Sequence, residues 1–166
     1  MDVSSTGPTT DKENPMTTEN VRRTNLQAAR TWGAGGEGYD QVSRGIADAI
    51  EHAIEALHPV PGERVLDIAT GTGWAARRIA ARGANVTGVD FGAGVIEAAK
   101  TLSEGDGIDF RVGDAEALEF ADHSFDAVIS TFGTMFARDP EAVATELARV
   151  VKPGSRVSHG KGAGHF

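Results

Sequence analysis

Cysteine is absent from the 166 residues, which excludes a disulfide framework, a thiol nucleophile and a Cys-ligated zinc. Cations are in short supply, with 16 Lys and Arg against 24 Asp and Glu, a formal net charge of −8. A chain this acidic lacks the basic surface that displaces counterions from nucleic acid, so no nucleic-acid partner is expected. No apolar run approaches the roughly 18–20 residues of a membrane span, and the N-terminus lacks the apolar core of a signal peptide. No membrane association is expected, and the location read from these absences is cytoplasmic. The length favours a single domain. Glycine is the one excess, at 21 residues, about twice its average usage.

Residues 1–30 are rich in Ser, Thr, Asn, Asp, Glu and Pro, and Val3, Met16, Val21 and Leu26 follow no helical or strand period. Such a stretch buries too little surface to offset its chain entropy. The expected organisation is a disordered tail over 1–30, a folded core over 31–158 and a second disordered tail over 159–166. Trp32-Gly-Ala-Gly-Gly-Glu-Gly-Tyr39 is a flexible loop with an aromatic at each end. Its composition favours a linker over a lid that closes on a ligand.

Val42, Ile46, Ile50, Ile54 and Leu57, at spacings of 4, 4, 4 and 3, mark one helical face that Pro59, Pro61 and Gly62 stop. The chain then alternates. Strands are expected at Arg64–Ala69, Asn85–Asp90, Ile108–Val112, Ser124–Thr131 and, briefly, Ser155–Ser158. Helices are expected at Trp74–Arg82, Ala93–Ser103 and Pro140–Val151, with a turn at Lys152-Pro-Gly154. This alternation implies right-handed βαβ units and a parallel sheet covered on both faces. The fold class is α/β, a doubly wound, Rossmann-like parallel sheet.

In such a sheet ligands bind at the carboxyl ends of the strands, so those ends hold the candidate site. The first strand runs through Asp67 into Gly71-Thr-Gly73, which lets the backbone turn sharply and approach a ligand. Tight βα turns use glycine without any ligand as well, and the pattern alone leaves both readings open. The second strand ends at Asp90, which can accept from both hydroxyls of a ribose or cap the next helix. The third is followed by Asp114-Ala115, suited to an adenine edge and equally to an Asx-turn. Three carboxylates at three successive strand ends suit amines, hydroxyls or a cation, and suit a pyrophosphate poorly. Gly71-x-Gly73-x-x-Ala76 with Asp90 downstream also satisfies the dinucleotide fingerprint, so an NAD-binding protein stays open as an alternative. An adenosyl ligand carrying an amino acid and a sulfonium accounts for all three carboxylates. Among other groups, His123 is the nearest candidate base by position, although Ala121-Asp-His-Ser124 reads better as an exposed turn, and Arg77-Arg78 reads as a solvated helix face.

Val65–Gly73, Asp90, Asp114-Ala115, Phe125–Thr131 and Leu147–Gly154, in that order, resemble the motifs of class I S-adenosylmethionine-dependent methyltransferases. Within that family the chain is similar to the small-molecule branch that includes quinone-biosynthesis enzymes. The resemblance implies S-adenosyl-L-methionine as cofactor, a small-molecule methyl acceptor and direct transfer from the sulfonium. It implies that Asp67, Gly71 and Gly73 hold the methionyl part, that Asp90 takes the ribose with Phe91 against the adenine, and that Asp114 and Ala115 read the adenine edge. Thr131 would lie near the sulfonium, with Tyr39 closing over it. Ala69 stands where the family has the first glycine of its Gly-x-Gly-x-Gly.

After Lys152-Pro-Gly154 the chain departs from the family. The resemblance implies a sheet of seven strands, but Ser155-Arg-Val157 runs into the glycine-rich Ser158–Phe166. Five strands in the order 3-2-1-4-5 are therefore expected, from a shortened or frameshifted product whose reading changes near Ser155. A frail fifth strand would leave an exposed sheet edge, which invites self-association or a partner. A catalytically inactive cofactor-binding fragment is the corresponding alternative to an active methyltransferase.

Overall fold

The computed structural model describes residues 20–159 and 162–165. Strands β1 (Arg64–Ile68), β2 (Asn85–Asp90), β3 (Asp109–Val112), β4 (Phe125–Ser130), β5 (Val151–His159) and β6 (Gly162–His165) form one sheet in the order β3-β2-β1-β4-β5-β6. The first five are mutually parallel in the order expected, and β6 adds antiparallel to β5. Helices α1 (Leu26–Gly33), α2 (Tyr39–Gly45), α3 (Ala47–Leu57), α4 (Trp74–Ala80), α5 (Ala93–Leu102) and α6 (Pro140–Val150) connect and flank them. Short 3-10 turns lie at Gly36–Gly38 and Gly133–Phe136. No helix among the described residues is long and apolar enough to cross a membrane.

Side-chain alternation divides the core into two layers. Val65 of β1 faces Ile50, Ile54 and Leu57 of α3, Ile79 of α4 and Ile96 of α5. Leu66 and Ile68 face the other way, into a layer with Val128, Phe125, Val150 of α6 and Val157. Each fully buried aliphatic side chain in these layers stabilises by about 1.5–3 kcal/mol. Asp67 shares the parity of Val65, and its carboxylate is therefore turned into the layer beneath α4.

Five expectations are corrected. The N-terminal segment, expected as tail to residue 30, is ordered over the described residues 20–30 and enters α1 at Leu26. Val21, Asn25 and Ala29 are buried at a spacing of four, and the polar middle member hides the apolar stripe from a reading by periodicity. The helix expected from Val42 to Leu57 breaks at Ile46, whose φ of −118° and ψ of 20° separate α2 from α3. The Lys152-Pro-Gly154 turn lies inside β5 as a bulge, where Val151 pairs with Phe125, Arg156 pairs with Ala127 and residues 152–155 stand opposite Asp126 alone. The fifth strand is also not frail. Arg156 Nε donates to Leu57 O at 2.9 Å and Ser158 Oγ to Ala53 O at 2.9 Å, which pins β5 onto α3. Its outer edge, expected bare within a disordered 159–166, pairs with β6 through Arg156–His165 and Val157–Gly164.

Candidate active site

β1 ends at Ile68, and the chain turns through Ala69, Thr70, Gly71, Thr72 and Gly73 into α4. Ala69, Gly71 and Gly73 all hold positive φ, at 55°, 55° and 79°. Position 73 admits nothing larger than glycine, because a Cβ there would lie 2.6 Å from Phe110 Cζ. Gly73 thus serves the fit of α4 against β3. It does not line the cavity described below.

The three strand-end carboxylates sit in different surroundings. Asp67 is fully buried. Its Oδ2 accepts from Thr70 Oγ1 at 2.6 Å, whereas Oδ1 has no hydrogen-bond partner among the described residues. Burial pushes its carboxyl up to about 7, opposed by the Thr70 hydrogen bond and reinforced by the charge of Asp90. Asp90 accepts from Gly71 N at 3.0 Å and from Gly92 N at 2.8 Å, so one carboxylate ties the glycine turn to the entry of α5. Burial raises its pKa, and backbone N–H donors, those of Gly92 and Gly71 first, oppose the rise. Asp114 accepts from Glu116 N at 2.9 Å on Oδ1, and from Arg22 N at 3.1 Å and Asn25 Nδ2 at 2.9 Å on Oδ2. Asp90 does not cap α5, whose N-cap is Gly92 without a side-chain cap, and instead makes an i,i+2 contact to Gly92 N. The Asx-type reading of Asp114 is realised through Glu116 N.

Two adjoining cavities open over these strand ends. The larger, about 470 Å³, includes Asn25, Asp90, Phe91, Asp114, Ala115 and Arg138 in its lining. The smaller, about 90 Å³, includes Tyr39, Ile50, Gly71, Trp74, Val95 and Thr131. Trp32, Ala69, Asp90, Phe91, Gly133 and Phe136 line both, which makes them lobes of one groove. The structure therefore brings together Tyr39, Gly71, Asp90, Phe91, Asp114, Ala115 and Thr131. It leaves Asp67 beneath the turn and Gly73 against Phe110.

Trp32 and Tyr39 flank the short glycine-rich connection between α1 and α2, and both rings pack at the groove. Trp32 belongs to α1, its ring centroid lies 6.2 Å from that of Tyr39 and 5.1 Å from that of Phe136, and all three rings wall the smaller lobe. Tyr39 is placed there by its neighbour. Asp40 Oδ1 accepts from Arg77 Nη2 at 2.8 Å and from Thr72 Oγ1 at 3.1 Å, and Arg77 Nη1 donates to Thr72 O at 2.6 Å. That clamp fastens α2 over the glycine turn. Desolvation, with a contribution from the nearby Asp90 charge, raises the Tyr39 pKa. Arg77 and Arg78 are consequently not a solvated face, since Arg77 makes this clamp and the Arg78 guanidinium lies 4.0 Å from the centroid of the Trp74 ring while pairing with Glu51. Reading by element missed Asn25, Asp40, Trp74 and Phe136, because each acquires its place only through a contact distant in sequence. His123 lies before β4, at the opposite end of the sheet from the groove. Its ring Nδ1 sits 2.8 Å from Val151 O, and the six residues of β4 put it about 20 Å from the strand's carboxyl end.

Residues 66–158 match the family described as methyltransferase domain. A demethylmenaquinone methyltransferase of Renibacterium salmoninarum is 42% identical over 104 residues, covering 63% of this chain and 43% of the relative. A demethylmenaquinone methyltransferase of Corynebacterium kroppenstedtii is 35% identical over 137 residues, covering 80% of this chain and 58% of the relative. Phosphoethanolamine N-methyltransferase 2 of Haemonchus contortus, solved in complex with S-adenosyl-L-methionine, superposes with a TM-score of 0.64 at 28% identity, over 68% of this chain and 27% of that one. The chain belongs to the methyltransferase domain family, of the class I S-adenosylmethionine-dependent type. It spans 43% and 58% of the lengths of the two demethylmenaquinone methyltransferases.

Proposed function

We propose that this chain binds S-adenosylmethionine in the two-lobed groove and transfers its methyl group to a small, apolar acceptor. The observation that supports this most is the groove's polar inventory. Asp90 and Asp114 face the larger lobe, Asp67 lies beneath the turn with an unpartnered Oδ1, and Arg138 is the one cation among the described lining residues. Carboxylates match the hydroxyls and amines of an adenosyl amino acid, and such charge-assisted hydrogen bonds are worth roughly 1.5–3 kcal/mol each. A pyrophosphate would find mainly negative charge.

In this reading Asp90 holds the ribose, Phe91 lies against the adenine, and Asp114 with Ala115 N–H takes the adenine edge. Gly71 and the buried Asp67 serve the methionyl end, with Tyr39 and Thr131 beside the reacting centre. When bound, the cofactor supplies an electrophilic methyl on a sulfonium. The protein's part is alignment and exclusion of water, and positioning of this kind supplies on the order of 7–11 kcal/mol. Tyr39, Ile46, Ile50, Trp74, Val95 and Phe136 give the smaller lobe aromatic and aliphatic walls. Those walls suit a flat, apolar ring, such as the demethylmenaquinone that names the relatives.

Calorimetric titration with S-adenosylhomocysteine tests the reading, with Asp90→Ala as control and circular dichroism to verify that both proteins fold. Loss of the ribose contacts should weaken binding at least tenfold, roughly 1.4 kcal/mol. Unchanged affinity in the folded variant removes Asp90 from the site. A folded wild type that does not bind removes the cofactor.

A further inference from the structure

The wall of the smaller lobe contains a buried donor without a partner. Trp74, the first residue of α4, lines that lobe, and its indole Nε1 is screened from solvent with no hydrogen-bond partner among the described residues. A buried N–H left unpaired carries its desolvation cost without return. Tyr39, Ser43 and Thr131 of the same lobe carry hydroxyls, which turn to donate or to accept. An indole N–H only donates, so whatever satisfies it must bring a lone pair. The indole is also polarised. The guanidinium groups of Arg78, Arg77 and Arg44 lie 4.0, 5.8 and 5.9 Å from the centroid of its ring. Positive charge over the π face draws electron density from the ring nitrogen and strengthens its N–H as a donor. Arg78 pairs with Glu51 and Arg77 with Asp40, whereas Arg44 lies 3.9 Å from Asp40 with its side chain 73% exposed. An ammonium group beside Trp74 would meet this charge and a donor it cannot use. An oxygen, neutral or ionised, suits both.

We propose that Trp74 determines specificity in the acceptor lobe: its Nε1–H binds an oxygen carried by the ring of the methyl acceptor, so the lobe selects hydroxyl- or carbonyl-bearing rings over bare hydrocarbons. The proposal rests on the reading of the smaller lobe as the acceptor site. Apolar walls bury the faces of a ring but leave it free to turn in its own plane. A ring that turns presents every edge to the cofactor's methyl group. One tethered through its oxygen presents a chosen atom, which is the alignment that transfer requires.

The test uses the full chain, with and without S-adenosylhomocysteine, and two probes of similar shape, 1-naphthol and naphthalene. Calorimetric titration should show 1-naphthol binding roughly tenfold more tightly, the factor expected from one hydrogen bond to a donor otherwise left unpaired. Trp74→Phe keeps an aromatic ring but has no N–H, and should abolish that preference. The ratio of the two affinities is the readout, because a change in packing alters both probes alike. A second readout needs no variant at position 74. The chain has two tryptophans, so Trp32→Phe assigns the two indole N–H resonances in a nitrogen-edited proton spectrum. The resonance of Trp74 in the wild type should lie further downfield with 1-naphthol than with naphthalene, which keeps the test valid if Trp74→Phe does not fold. Equal affinities, a preference that survives Trp74→Phe, or one resonance position with both probes overturns the role of Trp74 and leaves an apolar acceptor lobe standing. Binding of neither probe overturns the acceptor lobe and the role of Trp74 with it. A preference lost in Trp74→Phe, in a chain that does not bind S-adenosylhomocysteine, upholds Trp74 and overturns the cofactor reading.

Discussion

Gly73→Ala isolates what the glycine turn is for. Residue 73 holds a φ of 79° as it caps α4, and a residue with a Cβ loses roughly 1–2 kcal/mol in that left-handed region. The new methyl would also sit 2.6 and 2.9 Å from Cζ and Cε1 of Phe110. The ring has nowhere to go, because a Cβ at Gly88 would lie 2.7 Å from Cδ1 and Cε1 of the same ring. Overpacking of that sort costs about 1–3 kcal/mol. The two effects together come to about 2–5 kcal/mol, a large share of the roughly 5–15 kcal/mol that holds a domain folded. Thermal denaturation followed by circular dichroism should show Tm falling by roughly 5–15 °C. The double variant with Phe110→Leu separates the causes. Shortening the ring should recover about 1–3 kcal/mol relative to the sum of the single changes, while the backbone cost remains. A wild-type Tm in Gly73→Ala, or strictly additive losses in the double variant, would refute the packing argument.

Two further perturbations follow from the same turn and the carboxyl beneath it. Asp67, with a carboxyl near 7 when folded and about 3.9 when unfolded, binds a proton in the folded state that the unfolded chain has already lost. Its contribution is therefore fully present below about pH 4 and fades as pH rises towards 7, by an amount on the order of 4 kcal/mol. Urea unfolding across that range should show the wild type losing stability relative to Asp67→Asn, and a difference constant with pH would sink the assignment. Ala69 holds a φ of 55°, so Ala69→Gly relieves left-handed strain and should stabilise by about 1 kcal/mol. That corresponds to a Tm higher by roughly 2–4 °C, and a lower Tm would show that the methyl is needed where it is.

Much of this architecture was legible because parallel strands buried on both faces read as apolar runs. Val65-Leu66, Val86, Val89, Ala127-Val128-Ile129 and the helical face from Ile50 to Leu57 announce themselves through hydrophobicity and period. The strand-end rule singled out Asp90 and Asp114-Ala115, the family resemblance added Phe91 and Thr131, and all five line one groove. The strand-end rule misassigned the surroundings of Gly73, whose freedom is spent on Phe110 rather than on a ligand. Lys152-Pro-Gly154 carries turn residues, yet it lies as a bulge inside β5, because β4 supplies pairing on either side of it.

Local pattern, set by the amino-acid order, determined the α/β alternation and the carboxylates near the end of β1, at the end of β2 and after β3, while the strand order followed from the family resemblance. Alternation and carboxylate placement depend on side-chain period and chain connectivity, both of which are properties of neighbours in sequence. Only the tertiary structure decided that Asn25 meets Asp114 across 89 positions, that Asp40 meets Arg77 across 37, and that Arg156 and Ser158 hold β5 against α3. Each of those contacts joins polar groups whose burial is tolerable only when both partners arrive together. A polar residue read alone is therefore indistinguishable from surface, and these contacts could not be seen until the chain was folded.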